Sequence, residues 1–321
     1  MSDVVRVTDV SPRDGLQNEP LRDDGLPIPA ASKARLVEML CEAGVDEVEV
    51  TSFVSPKWVP QLGDAAEVVR LTARAVAEHE EGWDGAPEFS VLVPNLKGLE
   101  GLEAADSAAC EDAGLEPPLI RKIGLFTAAS EAFCRKNTNA SIDETIARFK
   151  EVMERGSVNA QVVRAYVSCA IACPFEGPID PAKVGAVAAK LVQLGVTEVD
   201  LGDTIGAGTP HTVAAMLKAV EKSIGGAWFR RKGVVLHLHD TNGLAALCVD
   251  AALEQGVRSF DASAGGLGGC PYASTPGKRA PGNIGTELLV RTVHAAGMQT
   301  MVDEDALGRA GAFARSLVGR A

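Results

Sequence analysis

Two histidines, His237 and His239, stand two residues apart in the apolar run VVLHLHD. On a β-strand, residues two apart face the same side, so both imidazoles point one way, and in a buried strand that way is inward. Two imidazole nitrogens held side by side suit one divalent metal ion, with room for oxygen ligands from elsewhere. A hydrogen-bonded histidine pair without metal fits the same spacing. What favours the metal is Asp14, at the end of the first predicted strand, which barrel closure would set beside the last two strands. Two imidazoles, a carboxylate and an amide oxygen leave coordination positions open. Such a set suits Mg2+ or Mn2+ acting as a Lewis acid on a chelating substrate, although the ligand types also admit zinc.

Arg13 precedes Asp14. It reads either as a structural ion pair at the barrel mouth or as a fixed cation for a developing enolate oxygen. Glu49 lies in an apolar strand and needs a partner if buried; orienting Arg13 would supply one. Asp203, in LGDTIGAGTP, reads as a turn residue at a strand end or as a polar wall of a pocket. Cys270 sits among glycines in DASAGGLGGCPYA, where it is either an inert thiol or a reactive one on a mobile loop. Cys169 and Cys173 in SCAIACP lack the spacing of a redox or metal pair and read as packing thiols. The GAG and GGLGG stretches lack the Lys-Ser/Thr ending and the strand-to-helix setting of phosphate loops.

These residues need a scaffold that brings strand ends together. Strands are predicted at 4–9, 45–53, 88–94, 121–126, 161–168, 197–203, 233–240 and 257–264. Amphipathic segments lie between them, several closing on a glycine that caps a helix end. Apolar strands alternating with helices imply parallel βαβ units. Eight of them predict a (β/α)8 TIM barrel, with a doubly wound open sheet as the runner-up. Arg13, Asp14, Glu49, Asp203, His237, His239, Asp261 and Ser263 then gather in or at the ends of strands, where barrel active sites form. Two segments break the rhythm: HEEGWDGAPE (79–88) reads as a loop, and ADSAACEDAGLEPPL (105–119) as an acidic surface insertion. The whole of 1–321 is expected to be one domain, with the barrel at about 4–290 and covering helices at about 285–321.

Bulk properties agree. The 321 residues are 46% hydrophobic, enough for a large core, and the net charge of −12 argues against a nucleic-acid partner. Seven cysteines, an odd number without framework spacing, fit free thiols in a reducing cytoplasm. The first residues hold no basic stretch leading into an apolar run, and no run is long enough to span a membrane. A cytoplasmic protein with no membrane partner is expected.

Together, SPRDGLQNEP, VEVTSFVSPKWVPQLGD, VPNLKGLE, TAASEAFCRKNTNASIDE, YVSCAIACPFEG, LGDTIGAGTP, HLHDTNG and GGLGGCPYA are similar to the 3-hydroxy-3-methylglutaryl-CoA lyase family of metal-dependent TIM-barrel lyases. The resemblance runs from about residue 4 to about residue 290. It implies cleavage of 3-hydroxy-3-methylglutaryl-CoA to acetyl-CoA and acetoacetate, the chemistry of leucine catabolism, with Mg2+ or Mn2+ as cofactor. It implies metal ligands at Asp14, His237, His239 and Asn283, enolate stabilisation by Arg13 and orientation of Arg13 by Glu49. It also implies a catalytic cysteine at Cys270, a further acid at Asp203 and substrate contact at Gln17. The partners implied are an acyl-CoA substrate and further copies of the chain, as a homodimer or a higher homo-oligomer.

Three other readings compete. A lyase for a larger branched 3-hydroxyacyl-CoA would share every motif. A Claisen-condensing acyltransferase of the same superfamily is favoured only by PGKRAPGN, which is faintly similar to a stretch of those synthases. A barrel used purely for binding would have no reason to keep all the ligands at strand ends. The chain departs from the family mainly at Ser274–Pro281, a longer link carrying Lys278 and Arg279. These two are expected to meet the anionic CoA or a partner subunit.

Overall fold

A computed structural model describes residues 4–79, 87–156, 162–269 and 282–320. Eight parallel strands close into a barrel: β1 (Arg6–Asp9), β2 (Glu47–Ser52), β3 (Glu88–Leu92), β4 (Lys122–Ala128), β5 (Val162–Ser168), β6 (Glu198–Asp203), β7 (Val234–Leu238) and β8 (Ser259–Ala262). Closure comes from β1 pairing with β8, in the register Arg6–Ser259 through Asp9–Ala262. The fold is the expected (β/α)8 barrel. A two-stranded hairpin, Ala172–Cys173 with Gly177–Pro178, follows β5 outside the barrel sheet.

Helices separate the strands, and local chemistry sets their ends. Asn95 accepts from Gly98 N and starts Leu96–Ala113, which Gly114 closes in the left-handed region at φ 71°. Thr209 and Thr212 form a reciprocal capping box at the start of Pro210–Ile224. The helices Thr286–Ala295 and Glu304–Leu317 follow the last strand. No helix among the described residues is long and apolar enough to cross a membrane.

The segment 105–119 is not a surface insertion. Residues 105–113 complete the 18-residue helix Leu96–Ala113, in which Leu99, Leu102, Ala109 and Cys110 are buried. Asp106 is buried on the same helix and accepts from Leu119 N (3.2 Å) and Ile120 N (3.0 Å), tying the returning chain to it. Acidic residues on the outer face mask this apolar stripe when composition alone is read.

The strands alternate in an unusual sense. Val48, Val50, Ile123, Leu125, Val163, Ala165, Val199 and Leu201 belong to the buried apolar core, whereas the intervening polar residues meet one another across the barrel. Glu47 Oε2 on β2 accepts from Arg164 Nη2 on β5 (2.9 Å) and Lys122 Nζ on β4 (2.7 Å), strands that do not neighbour β2. Glu198 binds Arg164 Nε (2.8 Å) and Lys122 Nζ (2.8 Å), and Arg6 joins Glu47, Glu88 and Glu198. The lower interior is therefore an ion network, stable because each buried charge has several partners of opposite sign.

This network has a pH signature. Burial pushes the Glu198 carboxyl up, but Arg164 and Lys122 outweigh it and hold the group down at about 2 from 4.5. A depressed carboxylate contributes stability above its unfolded pKa and loses it as pH falls toward the folded one. Glu198→Gln should therefore be destabilised relative to the parent at pH 6 to 7, and the gap should narrow from about pH 4.5 downward. Urea unfolding at several pH values checks this; a gap constant with pH would refute it.

Candidate metal centre and active site

The turn after β1, Ser11–Gly15, presents Arg13 and Asp14. It is clamped from below by Asp9. Asp9 Oδ1 accepts from both the backbone N (2.8 Å) and the hydroxyl of Ser11, while Oδ2 accepts from Ala264 N (3.0 Å) and Thr286 Oγ1 (2.7 Å). One buried carboxylate thus locks the first strand end against the last. Burial pushes its carboxyl up to about 6, against the pull of Ser11 and Thr286.

Arg13 is buried and fully oriented. Its Nε and Nη2 lie 2.6 and 2.5 Å from Glu49 Oε2, and Nη1 lies 2.7 Å from Asp14 Oδ1. Tyr166 donates to the other oxygen, Glu49 Oε1 (3.0 Å), and its ring centroid lies 5.4 Å from the Arg13 guanidinium carbon. Burial disfavours the Arg13 charge, but Glu49 and then Asp14 override it and raise the pKa further. Burial also works against Asp14, yet Arg13 and the two histidines hold its carboxyl below the usual range. In β2 the register against β3 shifts between Glu49 and Thr51, an irregularity beside the site.

His237 and His239 meet as their spacing predicts, with Nε2 atoms 3.3 Å apart. Asp14 Oδ2 lies 4.0 Å from His237 Nε2. One donor atom each from Asp14, His237 and His239 falls within 4.8 Å of the others. Asn283 completes the group. Its backbone pairs with His239, its N donates to Leu267 O (3.2 Å), and its Nδ2 donates to Asp14 Oδ2 (2.9 Å) and Leu267 O (3.0 Å). Its Oδ1 is buried without a hydrogen-bond partner. A buried carbonyl oxygen lacking a donor is an atom that a cation would satisfy. The His239 imidazole agrees: burial, then His237, lowers it to about 4, leaving it neutral and able to ligate. For His237, burial lowers the pKa, but its hydrogen bond to Asp261 and the charge of Asp14 outweigh it and the net shift is upward. The described residues therefore carry a cluster fit to hold a divalent metal.

A second buried group lies below. Asp200, His237 and Asp261 also offer donor atoms within 4.8 Å. Burial and then Asp261 push the Asp200 carboxyl far up, whereas Arg164 and His237 hold Asp261 far down despite its burial.

The remaining expected residues fall as follows. Gln17 Nε2 donates to Asp14 Oδ1 (2.5 Å), placing it in the same cluster. Asp203 is buried, and its two oxygens accept from Ala207 N (3.0 Å) and Gly208 N (2.7 Å), closing the turn after β6. Cys169 and Cys173 are buried free thiols. Cys173 Sγ accepts from Ser130 Oγ (3.0 Å) and Phe175 N (3.3 Å), in keeping with a packing role. Cys270 and the Ser274–Pro281 segment with Lys278 and Arg279 lie outside the described residues. Asp9, Tyr166 and Arg164 were not anticipated. The alternation in VVRAYVS puts Arg164 and Tyr166 on one face, and that period was the available signal.

The glycines before Cys270 have a steric reason. Gly268 has φ 98°, and a Cβ there would stand 2.6 Å from Asn283 Nδ2 and within 3.5 Å of Asp14 Oδ2. Gly268→Ala should leave the barrel folded yet displace Asn283, lowering Mn2+ affinity by more than about tenfold, within the range of a disturbed ligand support. Titration calorimetry with Mn2+ reads this directly, and wild-type affinity would show that the contact is relieved elsewhere.

Comparison with known proteins gives a consistent result. The HMGL-like family matches residues 4–313. The mitochondrial hydroxymethylglutaryl-CoA lyase of Bos taurus is 41% identical over 309 residues, covering 96% of this chain and 84% of its own length. The crystal structure of the HMG-CoA lyase from Brucella melitensis superposes with a TM-score of 0.83 at 41% identity, covering 98% of this chain and 99% of its own. An HMG-CoA lyase from Acinetobacter baumannii, solved in complex with coenzyme A and 3-methylmalate, superposes with a TM-score of 0.80 at 33% identity, covering 100% of this chain and 93% of its own. On the extent of these matches, this chain belongs to the HMGL-like family.

Proposed function

We propose that this chain is a divalent-metal-dependent carbon–carbon lyase that cleaves 3-hydroxy-3-methylglutaryl-CoA to acetyl-CoA and acetoacetate. The observation that carries this reading is the convergence of Arg13, Asp14, His237, His239 and Asn283 at the ends of β1 and β7, in a chain about 40% identical to lyases of that name. Asp14, His237, His239 and Asn283 would hold the ion, with Mg2+ or Mn2+ suggested by the mixed nitrogen and oxygen donors. When bound, the ion would supply Lewis acidity toward the 3-hydroxyl and carboxylate oxygens of the substrate.

The residues account for the rest. The 3-hydroxyl proton is assigned to Asp14 or, where its Nε2 is not engaged by the ion, to His237. The C3–O bond becomes the ketone of acetoacetate as the C2–C3 bond breaks, and the electron pair moves onto the thioester carbonyl as an enolate. Arg13, locked by Glu49 and Tyr166, faces that developing charge as a fixed cation. A proton then returns to C2, giving the acetyl methyl group. Cys270 is assigned to that proton transfer, Asp203 to the pocket wall as a further acid, and Gln17 to substrate contact.

We read 1–321 as one domain and the assembly as a homodimer or higher homo-oligomer. The free buried thiols support a reducing compartment, the cytoplasm in this reading. Bound coenzyme A in the Acinetobacter baumannii relative supports an acyl-CoA substrate here.

The test is a coupled acetoacetate assay with 3-hydroxy-3-methylglutaryl-CoA and Mg2+ or Mn2+, with and without EDTA. Metal-dependent release of both products is expected, and no turnover by folded protein would refute the substrate assignment. In the same assay Cys270→Ser should lose more than about tenfold in turnover; unchanged turnover would return the thiol to a structural role.

A further inference from the structure

His237 is gripped from behind in a way that His239 is not. Its Nδ1 lies 3.3 Å from Asp261 Oδ2, whereas among the described residues no carboxylate hydrogen-bonds His239 Nδ1. The other oxygen, Asp261 Oδ1, accepts from Arg164 Nη1 at 3.0 Å. Arg164 is fixed in turn by Glu198 Oε2 on Nε (2.8 Å), and by Glu47 Oε2 (2.9 Å) and Thr8 Oγ1 (3.2 Å) on Nη2. Every guanidinium nitrogen is engaged, and all of these side chains are buried. The imidazole on β7 is thus the last link of a chain rooted in β1, β2, β5, β6 and β8.

The donor and acceptor pattern leaves His237 one neutral form. An ionised carboxylate only accepts, so Nδ1 must carry the proton, and Nε2 then presents its lone pair toward His239 and Asp14. We propose that Asp261, held in place by Arg164, is a positioning residue that fixes the tautomer and ring plane of His237 for metal ligation. The proposal rests on the metal reading given under Proposed function.

Asp261→Asn makes the sharpest test because it is nearly isosteric. Arg164 demands an acceptor, so the Asn oxygen must face the guanidinium and its amide nitrogen must face His237. Nδ1 would then have to accept and Nε2 would carry the hydrogen, aimed where an ion would sit. Titration calorimetry with Mn2+ should show the dissociation constant rising by about 10- to 100-fold in this variant, the usual loss when such a support is removed. Its thermal unfolding midpoint reports whether the fold is kept. In a His237→Asn background, adding Asp261→Asn should cost nothing further, because the support acts only through that imidazole.

Wild-type Mn2+ affinity in folded Asp261→Asn, or an undiminished loss in the His237→Asn background, would overturn the proposal. Should Asp261→Asn fail to fold, Arg164→Lys carries the test. It keeps the charge but loses the fork, and a several-fold rise in the Mn2+ dissociation constant supports positioning, while no rise overturns it. Absence of Mn2+ binding by the wild-type chain would instead overturn the underlying metal reading, and is thereby distinguishable.

Discussion

Arg13→Met should lower kcat by about 10²–10³-fold or more while moving KM only a few-fold, the pattern of an interaction made mainly in the transition state. The reason is geometric. The guanidinium is already oriented by Glu49, Asp14 and Tyr166, so it does not reorganise as enolate charge develops. Arg13→Lys should rescue little. An ammonium is a compact point charge and cannot reproduce the planar fork that reaches Glu49 and Asp14 together. Glu49→Gln should fall between wild type and Arg13→Met, since it loosens the guanidinium without removing it. Steady-state kinetics on purified, folded variants read these effects, and a pure KM effect in Arg13→Met would mean that the residue binds ground state and transition state equally.

His239→Ala should raise the Mn2+ dissociation constant by more than ~100-fold, beyond the loss expected for an outer support. At neutral pH its imidazole is neutral, because burial and then His237 lower it to about 4, so no proton competes for the ligating lone pair. Alanine removes that donor and leaves Asp14 and His237 facing a void. Turnover should fall in step at fixed metal and recover only in part at high Mn2+, as read by calorimetry beside the acetoacetate assay. Unchanged Mn2+ affinity would place the ion elsewhere.

Much of this was legible from local pattern. The eight strands followed from apolar runs bounded by turn residues, and the facing of His237 and His239 followed from the two-residue period of a strand. Arg13 and Asp14 were placed at a strand end by the same reasoning. What misled was polarity. The segment at 105–119 looked like an acidic insertion because its charged outer face dominates the composition, yet Cys110 and Ala109 carry a buried stripe. The alternation in EVEVTS and VVRAYVS puts Glu47 and Glu49 on one face and Arg164 and Tyr166 on another strand's common face, but a two-residue period does not say whether such a face looks into the barrel or away from it.

The tertiary structure decides that orientation. The apolar residues of these strands pack in the core, and the charged ones meet inside the barrel. The sequence by itself determined the strand and helix periods, the residue types available at each strand end and the pairing of the two histidines, since all of these depend on near neighbours along the chain. Only closure of the barrel decided which charge neutralises which. It brings Glu49, thirty-six positions away, onto Arg13 as that pairing was expected, and it alone sets Asn283 Nδ2 on Asp14 and Asp261 between Arg164 and His237. A buried charge is tolerable only with a partner, and that partner is supplied by the crossing of distant strands.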